Sequence, residues 1–128
     1  LVAVQAQGCA PLARAWQRAG ATIQSDAGVL GTRWSDLMTP WDNPQSLADG
    51  ILDDETYDWL GVFDAIGPGG DAPVVAPEGD IVAAHRMARD AGFDVSPTGS
   101  AGLAGLLSTL AGVAPTERVV VVMSGLAR

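Results

Sequence analysis

The chain contains no lysine: its seven basic residues are all arginine. No side chain here can form an imine with a carbonyl compound, so Schiff-base chemistry needs a group from elsewhere. Cys9 is the single cysteine, which excludes an intrachain disulfide and makes a reduced, cytoplasmic setting the expectation. Aromatic residues are scarce at 5% while glycine reaches 16 residues, so close backbone packing is expected in place of bulky filling. Positive charge is also short. A formal net charge of −8 argues against nucleic acid and against anionic membrane surfaces, both of which call for clustered Lys and Arg. No apolar run approaches the ~18 residues of a membrane-spanning helix. The opening Leu1-Val-Ala-Val-Gln-Ala-Gln7 lacks the basic region of a signal peptide, and its first residue is not Met, as expected for a piece of a longer polypeptide or a processed chain.

What remains is a chain of 128 residues, 48% apolar, enough for one domain or part of one. Short β-branched runs alternate with helical patterns, which predicts an α/β fold with a mainly parallel sheet flanked by helices. Leu1–Ala6 reads as a buried strand. Pro11–Ala19 reads as a helix, with Pro11 in its first turn, Leu12, Ala15, Trp16 and Ala19 at helical spacing, and Gly20 as its stop. Residues 21–47 read as a long irregular loop. Asp53 or Asp54 is expected to cap a helix running toward Phe63. Gly67-Pro-Gly-Gly70 is a break, and Ala72–Ala76 a second strand. Asp80 is the expected N-cap of a helix with Ile81, Ala84, His85 and Ala88 on one face, ending at Gly92. Phe93–Pro97 is a brief extended piece. Thr98–Ala111 is expected to be a small-residue helix whose apolar side carries Leu103, Leu106, Leu107 and Leu110. Val119–Met123 is expected to be a final buried strand delivering Ser124 and Gly125 at its carboxyl end.

Ligands of open α/β sheets bind at strand carboxyl ends, where helix N-termini supply free N–H groups and partial positive charge. Three segments are candidates for that rim: Gln5-Ala-Gln-Gly-Cys-Ala-Pro11, Ser96-Pro-Thr-Gly-Ser-Ala101 and Ser124-Gly125. In this order they resemble the C-terminal part of the fold type II pyridoxal-phosphate enzymes, threonine synthases first and serine/threonine dehydratases more distantly. The family's "v-Q-a-e-G-c-a-P-l" strand and turn is similar to Val4-Gln-Ala-Gln-Gly-Cys-Ala-Pro-Leu12. Its "e-P-s/t-G-a-A" helix opening is similar to Ser96–Ala101, with Ser96 where relatives often carry Glu. Its strand ending in "T/S-G" is similar to Val122-Met-Ser-Gly125.

The resemblance implies that the Ser124 hydroxyl hydrogen-bonds the pyridine nitrogen of pyridoxal 5'-phosphate. It implies that Gly125, Thr98, Gly99 and Ser100 shape the pocket around the ring. A neutral hydroxyl partner suits elimination or replacement at the β or γ carbon of an amino-acid substrate. The family's lysine and glycine-rich phosphate loop have no match. Residues 1–128 are therefore expected to be the C-terminal part of the large domain of a lyase or synthase, inactive alone and partnered by the N-terminal region of the parent enzyme. The relatives are commonly dimers, so a homo-oligomer is expected.

Plainer roles stand beside these. Ser124 can simply end a strand, and Thr98 and Ser100 can cap a helix. Cys9 suits a small core or turn position, with nothing basic beside it in sequence to activate the thiol. His85 suits a packed helix face. Asp49, Asp53, Asp54, Glu55 and Asp58 lack the alternation of a calcium loop and suit a solvated face. Gly67–Gly70 is not followed by the lysine of a phosphate loop. Trp34, Trp41 and Trp59 either pack under the long loop or mark a partner surface. The second case defines the alternative function, a non-catalytic α/β binding or assembly module.

Overall fold

The computed structural model describes residues 1–20, 27–67 and 71–126 of the chain, with residues 27–28 described in backbone only. It is an α/β arrangement around a small parallel sheet. Strand β1 (Val4–Ala6) pairs with β2 (Val74–Ala76) in the register Val4–Val74, Gln5–Val75 and Ala6–Ala76. Each strand is three residues long. Main-chain bonds from Val74 to the Ala3 carbonyl (2.8 Å) and from Gln7 to the Ala76 carbonyl (2.8 Å) close its two ends.

Helix α1 (Pro11–Ala19) forms where expected. Proline opens it without losing an intrahelical bond, and Gly20 stops it at φ 50°, a conformation glycine adopts at no steric cost. The stretch read as irregular holds two short helices, α2 (Ala27–Thr32) and α3 (Trp34–Leu37); residues 21–26 of it lie outside the described part. Helix α4 spans Trp59–Ile66 and begins after Asp58, so neither Asp53 nor Asp54 caps it. Of the Gly67–Gly70 break only Gly67 is described, closing α4 at φ 75°. Helix α5 (Glu78–Asp90) begins directly after Pro77. Asp80 is thus inside its first turn and accepts a hydrogen bond from the Ser108 hydroxyl at 2.8 Å instead of capping. Helix α6 is Ala101–Thr109, followed by a 3-10 turn over Leu110–Gly112.

Two apolar clusters sit on the two faces of the sheet. One joins Leu12, Ala15 and Ala19 of α1 to Leu30, Leu37, Met38, Trp59 and Phe63. The other joins Ala76, Ile81, Ala84, Ala101, Ala104 and Ala48. Ala3 packs on the first and Val4 on the second, the alternation that a strand imposes on successive side chains. The second cluster is built almost wholly of alanine, so α6 must lie very close to the strands. It presents Ala101, Ala104 and Gly105 to them. The expected leucine face is only partly the buried one: Leu103 and Leu107 pack half-buried against the second cluster, whereas Leu106 belongs to neither cluster and Leu110 is exposed. Bulk would hold the helix away from the sheet; small residues admit it.

The last expected strand is not formed. Residues 119–123 run without helix, turn or bend, pair with no strand among the described residues, and leave Val120 88% and Val122 74% exposed. Five β-forming residues alone do not make a strand; a neighbour with free main-chain groups must lie alongside.

A side chain at Gly105 would collide with the Val4 side chain, whereas one at Gly61, exposed in α4, meets nothing. Gly105→Ala is therefore expected to lower stability by about 1–3 kcal/mol through overpacking. Gly61→Ala should raise it by about 0.5–1 kcal/mol by removing chain entropy from a helix interior. Urea midpoints at unchanged m-value check both.

Candidate functional site

The site grows from the turn before α6. In Ser96-Pro-Thr-Gly, a serine with a proline behind it folds its hydroxyl back on the following main chain. The Ser96 hydroxyl accepts from the Gly99 N–H at 3.0 Å. Its carbonyl accepts from the Ser100 N–H at 3.1 Å and the Ser100 hydroxyl at 3.2 Å. Ser100 is 1% exposed and also donates to the Pro97 carbonyl at 3.1 Å, so it bonds backward and does not cap the helix. The Thr98 carbonyl takes the Ala101 N–H (3.2 Å) and the Ser100 carbonyl takes that of Leu103 (2.9 Å). The N–H groups of Gly99, Ser100, Ala101 and Leu103, expected to be free for an anion, are used within the turn.

Two further segments dock on this turn. The Thr98 hydroxyl accepts from the Gly50 N–H at 2.9 Å, tying it to the 3-10 turn over Asp49–Ile51. Ser124 donates its N–H to the Gly99 carbonyl at 3.1 Å, and Gly125 accepts from the Ser96 N–H at 3.0 Å. The two glycines meet back to back. A side chain on Gly99 would collide with the Gly125 carbonyl, and one on Gly125 would lie 2.8 Å from the Ser96 hydroxyl. Val95 and Leu126 form an antiparallel bridge just beyond. Thr98, Gly99, Ser100, Ser124 and Gly125 are thus brought into one small region. The Ser124 side chain is exposed and bonds to no described residue, so its hydroxyl is available to a ligand.

The first motif forms a separate part of the surface. Gln5, in the middle of β1, accepts the Ala13 N–H with its side-chain oxygen at 3.0 Å and so fastens the start of α1 to the strand. Gly8 accepts from the Gln45 N–H at 3.2 Å, and a side chain there would strike the Gln45 carbonyl. Gln7, Gly8, Gln45, Ser46 and Glu78 line a shallow cleft of about 510 Å³ at the carboxyl ends of both strands. Glu78 accepts from the Ser46 hydroxyl (2.8 Å) and the Leu47 N–H (2.7 Å). A cleft with a carboxylate and no cation in its lining repels phosphate.

The remaining candidates are structural in their contacts. Cys9 is fully buried and its thiol donates to the Asp53 carbonyl at 3.2 Å. Burial first, then the charges of Asp53 and Asp54, push the thiol pKa above its ordinary value despite Arg14. Asp53 and Asp54 fix their loop through main-chain carbonyls, taking Cys9 and the Trp41 N–H (2.9 Å), with their carboxylates in solvent. No group of three or more His, Cys, Asp or Glu among the described residues could hold a metal. His85 is half-buried, and its Nδ1 meets no partner among the described residues. Trp34 and Trp59 pack edge to face at 5.6 Å, Trp16 meets Phe63 at 4.7 Å, and the Arg14 guanidinium lies 4.8 Å from the Trp41 ring. No described helix is long and apolar enough to cross a membrane.

Ser96, Gln5 and Gly50 emerge as positioning residues, a role the sequence reading gave to none of them. For Ser96 the signal was present, in a serine placed before Pro and three residues ahead of Gly. Gly50 carried none, because its partner is 48 positions away. Comparison with protein-family models, curated proteins and solved structures finds no match to this chain.

Gly99→Ala is expected to detach Ser124 and Gly125. The Ser124 and Ser96 amides should lose hydrogen-exchange protection while those inside α6 keep theirs; equal protection in both proteins refutes the contact. The alkaline limb of stability reports on Cys9. Above the ordinary thiol range the unfolded chain releases this proton and the folded chain retains it, so stability falls as pH rises through that range. Cys9→Ser, which does not ionise and can use the same Asp53 carbonyl, should lose that component of the slope in urea titrations at successive pH values.

Proposed function

We propose that this chain forms part of a fold type II pyridoxal-phosphate enzyme similar to threonine synthase, a lyase or synthase acting on an amino acid. It supplies the contact to the pyridine nitrogen, through Ser124, and one wall of the pocket, through Thr98, Gly99, Ser100 and Gly125. The observation that carries this reading is the docking of Ser124–Gly125 on the Ser96–Ser100 turn, which unites two motifs through the contact between Gly99 and Gly125, 26 positions apart. The donor set fits one half of the cofactor. An exposed, uncommitted hydroxyl can donate to a ring nitrogen, while the space beside the two glycines is taken up by their own contact. The other half has no counterpart: there is no lysine, and the N–H groups of Gly99, Ser100, Ala101 and Leu103 are already bonded. Those functions fall to the N-terminal region of a longer parent protein.

When bound, pyridoxal phosphate would supply an electron sink for bond breaking at the amino-acid α and β carbons. This chain's own work is smaller. Ser124 orients the ring without imposing a charge on its nitrogen, as a carboxylate would. Ser96 holds the wall by its four hydrogen bonds, and Gly50 braces Thr98. The alternative, a binding module with a tryptophan-bearing loop, draws less support. Trp59 is buried, and Trp34, Trp41 and Trp16 are half-buried against named neighbours.

The test combines this chain with the lysine-bearing region of the parent protein and pyridoxal 5'-phosphate. The pair is expected to develop a visible absorbance band that neither part shows alone. Ser124→Ala should shift that band and weaken cofactor retention about fivefold, the worth of one ordinary hydrogen bond near 1 kcal/mol. An unchanged spectrum with full activity in the variant overturns the assignment.

A further inference from the structure

Asp49-Gly50 is the one Asp-Gly step in the chain, and the turn that carries it braces the candidate site. Aspartate followed by glycine is a self-reactive pair. The glycine nitrogen can attack the neighbouring side-chain carboxyl, and no side chain on the glycine obstructs the approach. Asn43, the one asparagine, precedes Pro44, whose nitrogen carries no hydrogen to lose. Asp49 and Gly50 are both exposed to water. A side chain on Gly50 would lie 2.9 Å from the Thr98 hydroxyl and 3.0 Å from the Thr98 methyl carbon, so the packing there calls for the glycine that makes the pair reactive. The same contact restrains it. The Gly50 N–H donates to the Thr98 hydroxyl at 2.9 Å. The 3-10 turn over Asp49–Ile51 is held by bonds from the Ile51 N–H to the Ala48 carbonyl (3.2 Å) and from the Leu52 N–H to the Asp49 carbonyl (3.3 Å). Ring closure needs the Gly50 nitrogen to swing round to the Asp49 carboxyl carbon, and the turn and the bond to Thr98 both hold it away.

We infer that Asp49-Gly50 is a latent isomerisation site, locked by the hydroxyl of Thr98. When the lock opens, the Gly50 nitrogen bonds to the Asp49 side-chain carboxyl carbon. That carbon gives up its hydroxyl and the nitrogen its proton, and the two leave together as water. Water then adds back to the cyclic imide. Cleavage of the nitrogen's bond to the side-chain carbonyl restores aspartate. Cleavage of its bond to the main-chain carbonyl leaves isoaspartate, in which the main chain runs through the side chain of residue 49. Water is the only co-reactant, and nothing is oxidised or reduced. The isomerised main chain is longer by a carbon atom. Ala48 is fully buried in the second apolar cluster and Ile51 packs against it, so the added length is not absorbed on either side and the turn bulges at Gly50. Its N–H then leaves Thr98, and the brace on the Ser96–Ser100 turn is lost. The result is a slow covalent release of that turn. It rests on the contact between Gly50 and Thr98 and involves no cofactor.

The test incubates the full chain at neutral pH in water enriched in heavy oxygen, both folded and in urea. Peptide mass spectrometry, with fragmentation that separates aspartate from isoaspartate, reads the product. In urea the peptide holding Asp49 should gain heavy oxygen and isoaspartate ahead of every other aspartyl peptide, and the folded chain should react more slowly. Thr98→Val keeps the side-chain shape and loses the acceptor, so it should speed the reaction of the folded chain about fivefold, the worth of one hydrogen bond. Thr98→Ser keeps the acceptor and should leave the rate near that of the unsubstituted protein. A second measurement needs no variant. The Gly50 amide should be protected from hydrogen exchange, and its opening on warming should rise in step with isomerisation. Equal rates in the folded and unfolded chain overturn the inference. So does a folded Thr98→Val protein that reacts no faster than the unsubstituted one, a Gly50 amide that exchanges as freely as in urea, or isomerisation of another aspartate first.

Discussion

The closeness of α6 to the sheet is the constraint on which the rest of the molecule depends. A helix can approach a strand to backbone contact only where its facing residues lack bulk, and here that face is Ala101, Ala104 and Gly105. The same approach seats α5 beside α6, because Ile81 and Ala84 fill what the alanines leave. It also fixes the turn that precedes α6, since a helix pressed onto Val4 has no freedom to slide. Gly102, at the second position of the helix, repeats the device toward the Val122 carbonyl and the Val121 side chain. Small residues thus set the distance on both sides of one helix.

From that fixed helix the candidate site follows with little further expense. Ser96 supplies an acceptor through its hydroxyl, a second through its carbonyl and a donor through its N–H, so one residue shapes the turn and receives Gly125. The hydroxyls nearest the helix are consumed in building the wall. The Ser124 hydroxyl, on the surface, meets no partner among the described residues.

Much of this was legible in the sequence where local chemistry decides. Helix α1 keeps its expected ends because Pro11 and Gly20 act on the adjacent backbone, whatever surrounds them. The sites of both strands were visible for the same reason, as short β-branched or small runs between turn signals. Failures occurred where a partner decides. Asp80 looked like a cap until Ser108, far along the chain, claimed its carboxylate. The leucines of α6 dominate its hydropathy, yet the closest approach to the sheet falls to Ala101, Ala104 and Gly105, with Leu103 and Leu107 only half-buried beside them. Val119–Met123 carries every residue preference of a core strand and lacks only a neighbour. In the candidate site, Ser124 and the Ser96–Ser100 turn were recognisable as motifs, while the bond from Gly50 to Thr98 spans a separation no local pattern encodes.

The sheet that separates the two apolar clusters is only three residues deep, and this shapes how the molecule opens. A barrier so thin couples its two sides through a few contacts, chiefly the neighbouring side chains of Ala3 and Val4. Regions joined by so narrow a waist open as separate cooperative units. The turn carrying Thr98 and the docked Ser124 adjoins the alanine-lined side, so its position follows α6 and not the tryptophan-bearing cluster.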